Sequence, residues 1–168
     1  MLNLITYPNR ILRQRSRKVK LPEIASAQFK AFLSDLGKTM LKEDGLGLAA
    51  NQVNCDLRVF SVNFKGRPKV FINSFVYFRS FGKETGEEGC LSLPGVFGTV
   101  KRSRKIRLFY RDEQGRLRHL TAKGLLARVI LHETDHINGV LIIDRISKYQ
   151  LGRKKVELWK KQARANEI

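Results

Sequence analysis

The chain has 168 residues, of which 42% are hydrophobic and 29% are charged, as expected for one folded domain with a single core. It contains no run of about 18–20 apolar residues, which excludes a membrane-spanning helix. The start of the chain, MLNLITYPNR, lacks the features of a secretory signal, so we expect a cytoplasmic protein. Two cysteines, Cys55 and Cys90, are too few for a disulfide framework, and we expect free thiols or metal ligands.

The charge balance is strongly basic, because 33 Lys/Arg against 15 Asp/Glu give a formal net charge of +18. Residues 1–20 hold six Lys/Arg and no acid, and residues 145–168 hold eight Lys/Arg and two acids. Such a charge favours encounter with polyanions. It is compatible with a solvated basic surface and with docking on RNA or another acidic surface, and charge alone does not choose between them. We expect neither a membrane nor DNA as a partner.

The first long element predicted is a helix over residues 22–42. Pro22 suits the first turn of a helix, and apolar side chains recur along one side at helical spacing. These side chains are Phe29, Phe32, Leu33, Leu36 and Met40. Core packing is the simplest interpretation of this stripe. The following EDGLGLAANQ ends the helix at Gly45 and Gly47.

Strands are predicted in the middle of the chain. Residues 57–64 and 68–78 are rich in β-branched and aromatic side chains. Residues 105–111 and 116–122 flank DEQG, which is a hairpin signal, and His119 on this hairpin is expected at the surface. Because the strands come in a run joined by hairpins rather than crossovers, the predicted class is α+β with antiparallel sheet.

The stretch KGLLARVILHETDHINGVLIID, residues 123–144, predicts a second long helix. Leu125, Val129, His132 and His136 recur at i, i+4, i+7 and i+11, on one helical face. The Asn-Gly pair that follows is a stop signal. A basic amphipathic helix is predicted to follow over about residues 147–165.

A divalent metal site is the favoured interpretation of HETDH. His132 and His136 are four residues apart, so both imidazoles project from one helical face and can reach one ion. Glu133 is rotated off that direction and can reach a water on the ion instead. Burying two imidazoles and a carboxylate without partners would cost free energy. This disfavours the alternative that they are ordinary core residues.

Two histidines leave such an ion short of ligands, since catalytic zinc-type sites usually take three and keep a fourth position for water. Cys90 in EEGCLSLPG is the candidate third ligand, and a buried structural thiol is the alternative. The segment GLGLAANQV, residues 45–53, has glycines that either let backbone approach a ligand or end the preceding helix. It is not a phosphate loop, since it lacks Lys-Ser/Thr and follows a helix.

Taken together, GLGLAANQ, EGCLSLPG and HETDHINGVLIIDR resemble, in order and separation, the three signature motifs of the bacterial peptide deformylases. With YPNRILRQ the resemblance covers about residues 4–146, and the short loop before EEGCLS is similar to the short-loop class. It implies a catalytic domain over residues 1–146, with residues 147–168 as a basic C-terminal helix or tail of the same domain. The implied fold has antiparallel β-sheets packed around a central helix that bears HExxH, with a C-terminal helix.

The resemblance implies removal of the formyl group from the N-terminal formyl-methionine of nascent polypeptides by metal-bound hydroxide. It implies one divalent ion, Fe²⁺ in the cell, for which Zn²⁺, Ni²⁺ or Co²⁺ can substitute. The implied metal ligands are Cys90, His132 and His136. Glu133 matches the general base, while the side-chain amide of Gln52 and the backbone N–H of Leu91 match the donors to the developing oxyanion.

The methionine side chain is expected in an apolar pocket, and the peptide backbone is expected to pair with extended chain. The expected substrate-binding residues are Gly47, Leu48, Gly89, Phe97, Leu125 and Val129. Many family members have Arg or Tyr at the position of Phe97, so an arginine-dependent peptide contact is expected to be absent. Glu88 and Arg102 are expected to form an ion pair that supports the cysteine loop.

The basic segment 147–168 resembles the C-terminal helix by which some bacterial members dock on the ribosome near the tunnel exit, and a solvated helix is the alternative. Two other functions compete with the deformylase interpretation. A zincin-like metallopeptidase also uses HExxH, but takes its third ligand from His or Glu. A basic RNA-binding protein with a structural metal site is the non-enzymatic alternative.

Overall fold

A computed structural model describes residues 1–146, and all structural statements below refer to that range. The predicted helix over 147–165, and the tail assigned to 147–168, lie outside the described residues. The helices are α1 Leu21–Ala25, α2 Ala27–Lys42 and α3 Gly124–His136, with short 3₁₀ helices at Arg10–Arg13, Ala50–Val53 and Ile142–Asp144. The strands are β1 Gly47–Ala49, β2 Val59–Phe64, β3 Arg67–Arg79, β4 Lys83–Gly89, β5 Phe97–Ser103, β6 Lys105–Arg111 and β7 Leu117–Lys123.

The prediction of one helix over 22–42 is wrong, because the chain forms α1 and α2 with a break at Ser26. Ser26 has extended backbone angles, φ −66° and ψ 145°, which end α1. Its Oγ accepts a hydrogen bond of 3.2 Å from the backbone N–H of Phe29 and so caps the start of α2. A serine at this position satisfies one of the free N–H groups of the new helix.

Within residues 1–146, five strands form one antiparallel sheet in the order β1-β2-β3-β6-β7, and β4 and β5 form a separate antiparallel ribbon. The predicted α+β class with antiparallel sheet is therefore confirmed. The predicted strands correspond to β2, β3, β6 and β7, whereas β1, β4 and β5 were not predicted. Within the same range, no helix combines the length and the apolarity that crossing a bilayer requires.

Helix α3 packs on one face of the five-stranded sheet. Ala127, Ile130 and Leu131 of α3 are buried in one cluster with Ile106 and Leu108 of β6. The helix also contacts β5 of the ribbon, so it lies between the two β-structures. From Val129 to His136 every side chain of α3 is buried, which places its C-terminal turn in the interior.

Candidate metal centre and adjoining cavity

The last turn of α3 and the loop after β4 bring the three predicted ligands together. Sγ of Cys90 lies 3.1 Å from Nε2 of His136, which lies 3.2 Å from Nε2 of His132. All three atoms fall within 4.8 Å of one another. One thiol and two imidazole nitrogens that converge in this way fit a divalent first-row ion such as zinc or iron.

The carboxylate of Glu88 orients one of these rings. Its Oε2 lies 3.0 Å from Nδ1 of His132, so Nδ1–H donates there and Nε2 is directed at the other two ligands. Arg102 donates to both oxygens of Glu88, from Nε and Nη2, at 2.9 Å each. Burial by itself would raise the pKa of Glu88, but hydrogen bonds from Arg102 and His132 outweigh burial and hold that pKa at about 2. Glu88 is therefore ionised.

The two histidines differ in proton affinity. Burial by itself would lower the pKa of His132, but its contacts with Cys90 and Glu88 and the charge of Glu133 raise that pKa to about 10. Burial, together with the charges of His132 and Arg102, holds the pKa of His136 well below its usual value. A proton shared by the facing nitrogens therefore resides on His132, and a cation at this position competes with it.

Glu133 has the surroundings of a general base. Its side chain is buried, and within residues 1–146 its Oε2 has no hydrogen-bond partner. Burial raises the pKa of Glu133 to about 7, against the lowering effect of His132. A carboxyl with a pKa near neutrality can both accept and return a proton at physiological pH.

A cavity of about 660 Å³ opens beside the three ligands, within the size range of small-ligand sites. Most of the predicted substrate-binding residues line it, namely Gly47, Gly89, Phe97, Leu125 and Val129. Leu48 was also predicted to bind substrate, but its side chain does not line the cavity. That side chain is fully buried and packs with Leu36 and Met40 of α2, because alternation along β1 turns it into the core.

The two predicted oxyanion donors also border the cavity. Oε1 of Gln52 accepts a 2.8 Å hydrogen bond from the backbone N–H of Ala49. Its Nε2 therefore points the other way, 3.1 Å from Oγ of Ser92 and 3.7 Å from Sγ of Cys90. Leu91 follows Cys90 directly and lines the cavity beside Gln52.

Comparison with known proteins agrees with this geometry. The family model described as polypeptide deformylase matches residues 1–151. The chain belongs to that family. A peptide deformylase of Xylella fastidiosa strain M12 is 38% identical, with 97% of this chain and 98% of that protein covered. The chain is thus an enzyme that removes the formyl group from nascent peptides by metal-dependent hydrolysis, which disfavours both the zincin-like and the non-enzymatic interpretations.

Solved structures of family members share the fold. The crystal structure of peptide deformylase from Thermotoga maritima superposes with a TM-score of 0.83 at 36% identity, covering 88% of this chain and 98% of that chain. A class I type b peptide deformylase from Acinetobacter baumannii, with Met-Ala-Ser bound, superposes with a TM-score of 0.80 at 31% identity. It covers 86% of this chain and 98% of that chain.

Arg128 was not predicted as part of the site, but it lines the cavity and binds the Glu88 carboxylate. Its Nη1 lies 2.9 Å from Oε1 of Glu88 and 2.9 Å from the carbonyl of Val100, and its Nη2 lies 2.9 Å from the carbonyl of Glu84. The guanidinium thus joins α3 to both strands of the ribbon. Its spacing four residues before His132 is the sequence signal that could have placed it on the site-facing side of α3.

Asp135 was also missed, and it completes a buried ionic network behind the ligands. It accepts hydrogen bonds from Arg102 and from Arg145, the latter at 2.7 Å from Nη2. Arg102 consequently lies between the carboxylates of Glu88 and Asp135. This network fixes the ribbon and the C-terminal turn of α3 relative to each other.

Proposed function

We propose that formyl-methionyl peptides are hydrolysed at the end of the cavity where Cys90, His132 and His136 converge. The observation that carries this proposal is the position of Glu133, a buried carboxyl beside the three ligands. One of its oxygens has no partner within residues 1–146 and is free to bind the attacking water. A poised base next to a cation site is the combination that hydrolysis of an unactivated amide requires.

One divalent ion would be held by Sγ of Cys90 and by the Nε2 atoms of His132 and His136. When bound, it supplies Lewis acidity toward the formyl oxygen and makes water easier to deprotonate. We expect Fe²⁺ in the cell, with Zn²⁺, Ni²⁺ and Co²⁺ able to substitute, because thiolate and imidazole donors suit all four ions.

Glu133 is proposed to carry the proton through the reaction. It takes a proton from the water as the water oxygen bonds to the formyl carbon. When the carbon–nitrogen bond breaks, Glu133 returns that proton to the departing amine, which leaves formate and a free N-terminus. The pKa of about 7 suits both halves of this role, because neither protonation state is strongly disfavoured at neutral pH.

Gln52 and Leu91 are proposed to stabilise the negative charge that develops on the formyl oxygen. The side-chain amide of Gln52 is held in one orientation by the backbone N–H of Ala49, so its Nε2 is directed toward Cys90. The backbone N–H of Leu91 would act as the second donor. Removing one donor of this kind typically costs about 10²–10³ in kcat.

The remaining cavity residues are proposed to position the peptide. Val129 and Leu125 offer apolar surface for the methionine side chain, one and two turns before His132 on α3. Gly47 and Gly89 are proposed to pair with the peptide backbone, together with the backbone of Leu48, and Phe97 closes the cavity beside Gly89. The Acinetobacter baumannii relative with Met-Ala-Ser bound supports a peptide of this kind as the ligand.

We expect the protein to act in the cytoplasm, where nascent chains are made. Residues 147–168 are proposed to dock it on the ribosome near the tunnel exit. Truncation after Ile146 should weaken ribosome co-sedimentation at low salt while turnover of a formyl-Met peptide is retained. Equal co-sedimentation of the full and truncated chains at low salt would refute the docking role.

An anaerobic assay on formyl-Met-Ala-Ser, with metal analysis of the same sample, tests the proposed site. Glu133→Ala should lose nearly all turnover while it retains the metal, and Cys90→Ala should lose both. Cys55→Ala is the matched control, since Cys55 is the other free cysteine and packs away from the cavity. Full activity and metal content in Cys90→Ala would overturn its assignment as a ligand. Full activity in Glu133→Ala would overturn the assignment of Glu133 as the general base.

A further inference from the structure

The outer face of the five-stranded sheet carries exposed ring side chains on the side turned away from α3. Alternation along β6 buries Ile106 and Leu108 against α3 and therefore directs Phe109 outward. Phe109 is the cross-strand partner of Phe75 on β3 and of His119 on β7, so these three form one row. We call this row, together with Tyr77, the aromatic face.

The rings of the aromatic face contact one another but are open to solvent. The Tyr77 and Phe109 rings are stacked with centroids 4.9 Å apart, and the Phe109 and His119 centroids are 5.4 Å apart. Phe75 is 63% exposed, and Tyr77 and Phe109 are each about 40% exposed. Contiguous exposed apolar surface of this kind marks a binding site more often than a single exposed residue does.

Basic side chains continue the same face along the strands. The next row pairs Phe78, Arg107 and Thr121, and the row after it pairs Lys105 with Lys123. The guanidinium of Arg107 lies 5.3 Å from the Phe78 ring centroid. Among the residues of these rows, Lys105, Arg107 and Lys123 are basic and none is acidic, so the positive charge of the rows is not neutralised from within them.

We propose that this face binds single-stranded RNA. Exposed rings on an antiparallel sheet can stack unpaired bases, and the basic rows beside them can hold the phosphates. The Thr121 hydroxyl lies on the same face, opposite Arg107, and can bond a ribose 2′-hydroxyl, which favours RNA over DNA. Because the cavity lies on the α3 side of the sheet, RNA bound here leaves the site of hydrolysis open.

Charge argues against a second copy of the chain as the occupant. Each copy carries a formal net charge of +18, so pairing two basic faces would be opposed by repulsion, whereas a polyanion is attracted. Charge alone would bind single-stranded and duplex RNA alike. The rings predict a preference for the single strand, since only unpaired bases expose their faces for stacking.

The test is fluorescence anisotropy of the full-length protein with a labelled, unstructured RNA 12-mer and its duplex at several salt concentrations. The double variant Tyr77→Ser/Phe109→Ser should bind the single strand at least about tenfold more weakly, because one lost stacked base costs about 5- to 150-fold. The matched control is Phe81→Ser, the same change at a fully exposed ring in the loop after β3. Control and double variant should both turn over formyl-Met-Ala-Ser like the parent.

A second variant, Lys105→Gln/Lys123→Gln, should reduce the log–log salt slope of single-strand binding by about 1.4, the value for two lost phosphate contacts. The basic segment 147–168 is present in every variant, so its contribution cancels. Unchanged single-strand affinity in Tyr77→Ser/Phe109→Ser overturns the proposal, as does equal affinity of the parent for both RNA forms. If Tyr77→Ser/Phe109→Ser loses a concentration-dependent dimer or binding to anionic vesicles while its RNA affinity is unchanged, the aromatic face binds that partner instead.

Discussion

Oε2 of Glu88 lies 3.0 Å from Nδ1 of His132, while the other nitrogen of that ring faces Cys90 and His136. Glu88→Gln keeps the size of the side chain but weakens both this contact and the pair with Arg102. We expect the variant to bind Zn²⁺ or Co²⁺ about 10- to 100-fold more weakly, since partners that orient metal-binding histidines have effects of this size. Competition with a chelator of known affinity measures the change.

The control for this experiment is Glu84→Gln, on the same strand but solvent-exposed and 3.9 Å from Arg104. Its metal affinity should equal that of the parent. Circular dichroism on both variants separates a lost orientation from lost folding. Parental metal affinity in a folded Glu88→Gln protein would contradict the orienting role.

Gly47 lies against the carboxyl group of Glu133, with no space for a methyl group between them. A Cβ at residue 47 would overlap Oε1 of Glu133, so Gly47→Ala must displace the carboxyl group. Displacement of a reacting group by about 1 Å typically costs about 10² in rate. We therefore expect kcat/KM for formyl-Met-Ala-Ser to fall by about 10² in Gly47→Ala, with metal content unchanged.

Gly82→Ala is the control for this substitution, because the nearest atom to a Cβ at residue 82 is 4.0 Å away. It should retain parental kcat/KM. If Gly47→Ala also retained parental kcat/KM, then catalysis would not depend on the observed position of the Glu133 carboxyl group.

The parts of the site that depend on local spacing could be predicted from the sequence. His132 and His136 are one helical turn apart, so their convergence requires only that the helix forms. The meeting of Cys90 with that turn is long-range. Its flanking sequence made Cys90 only a candidate ligand, and the resemblance of three motifs to a family then implied its role. The contacts of Arg128 are likewise long-range, since its partners Glu88 and Val100 lie on strands β4 and β5.

The prediction of helices and strands was wrong or incomplete where pairing with distant residues outweighs the preference of the local sequence. Strand β4 contains three glutamates and two glycines, which disfavour a strand, yet it pairs with β5 along its whole length. Its buried Glu88 is stabilised by Arg102 of β5, a contact that composition does not reveal. Ser26 was placed in the helix interior because Pro22 was taken as the first turn of the helix, although serine also favours the cap position that it takes.

Arg128 joins α3 to the ribbon, and its removal should destabilise the fold. Arg128→Leu keeps apolar contact, but it leaves the carbonyls of Val100 and Glu84 without this donor and removes one of the two donors to Oε1 of Glu88. Hydrogen bonds to charged groups contribute about 1.5–3 kcal/mol each, and we expect a loss of about 2–4 kcal/mol in the free energy of unfolding. Urea denaturation at neutral pH measures this loss.

Arg104→Leu provides the comparison, because Arg104 is solvent-exposed and lies 3.9 Å from Glu84. A surface pair of this length contributes about 0–1 kcal/mol. If Arg128→Leu lowers the free energy of unfolding no more than Arg104→Leu does, then the Arg128 guanidinium does not hold the ribbon in place.

Asp112 makes the stability of the folded state depend on pH, independently of the metal centre. Its Oδ1 accepts from the backbone N–H groups of Gln114 and Arg116, and its Oδ2 lies 2.7 Å from Nε of Arg118. Burial by itself would raise the pKa of Asp112, but the hydrogen bonds from Arg118 and Arg116 outweigh burial and lower the pKa below 3.8. A carboxyl whose pKa falls on folding stabilises the folded state above its unfolded pKa.

This contribution is complete at neutral pH and is lost as the pH falls through the folded pKa of Asp112. We therefore expect Asp112→Asn to have a lower free energy of unfolding than the parent at pH 7 and pH 5. The difference should narrow at pH 3, because the parent loses the contribution of its Asp112 carboxylate there. Urea denaturation at the three pH values measures the difference. Glu113→Gln, the neighbouring substitution in the same turn, should show no such narrowing. A constant difference between Asp112→Asn and the parent at all three pH values would mean that the carboxylate charge does not stabilise the β6–β7 hairpin.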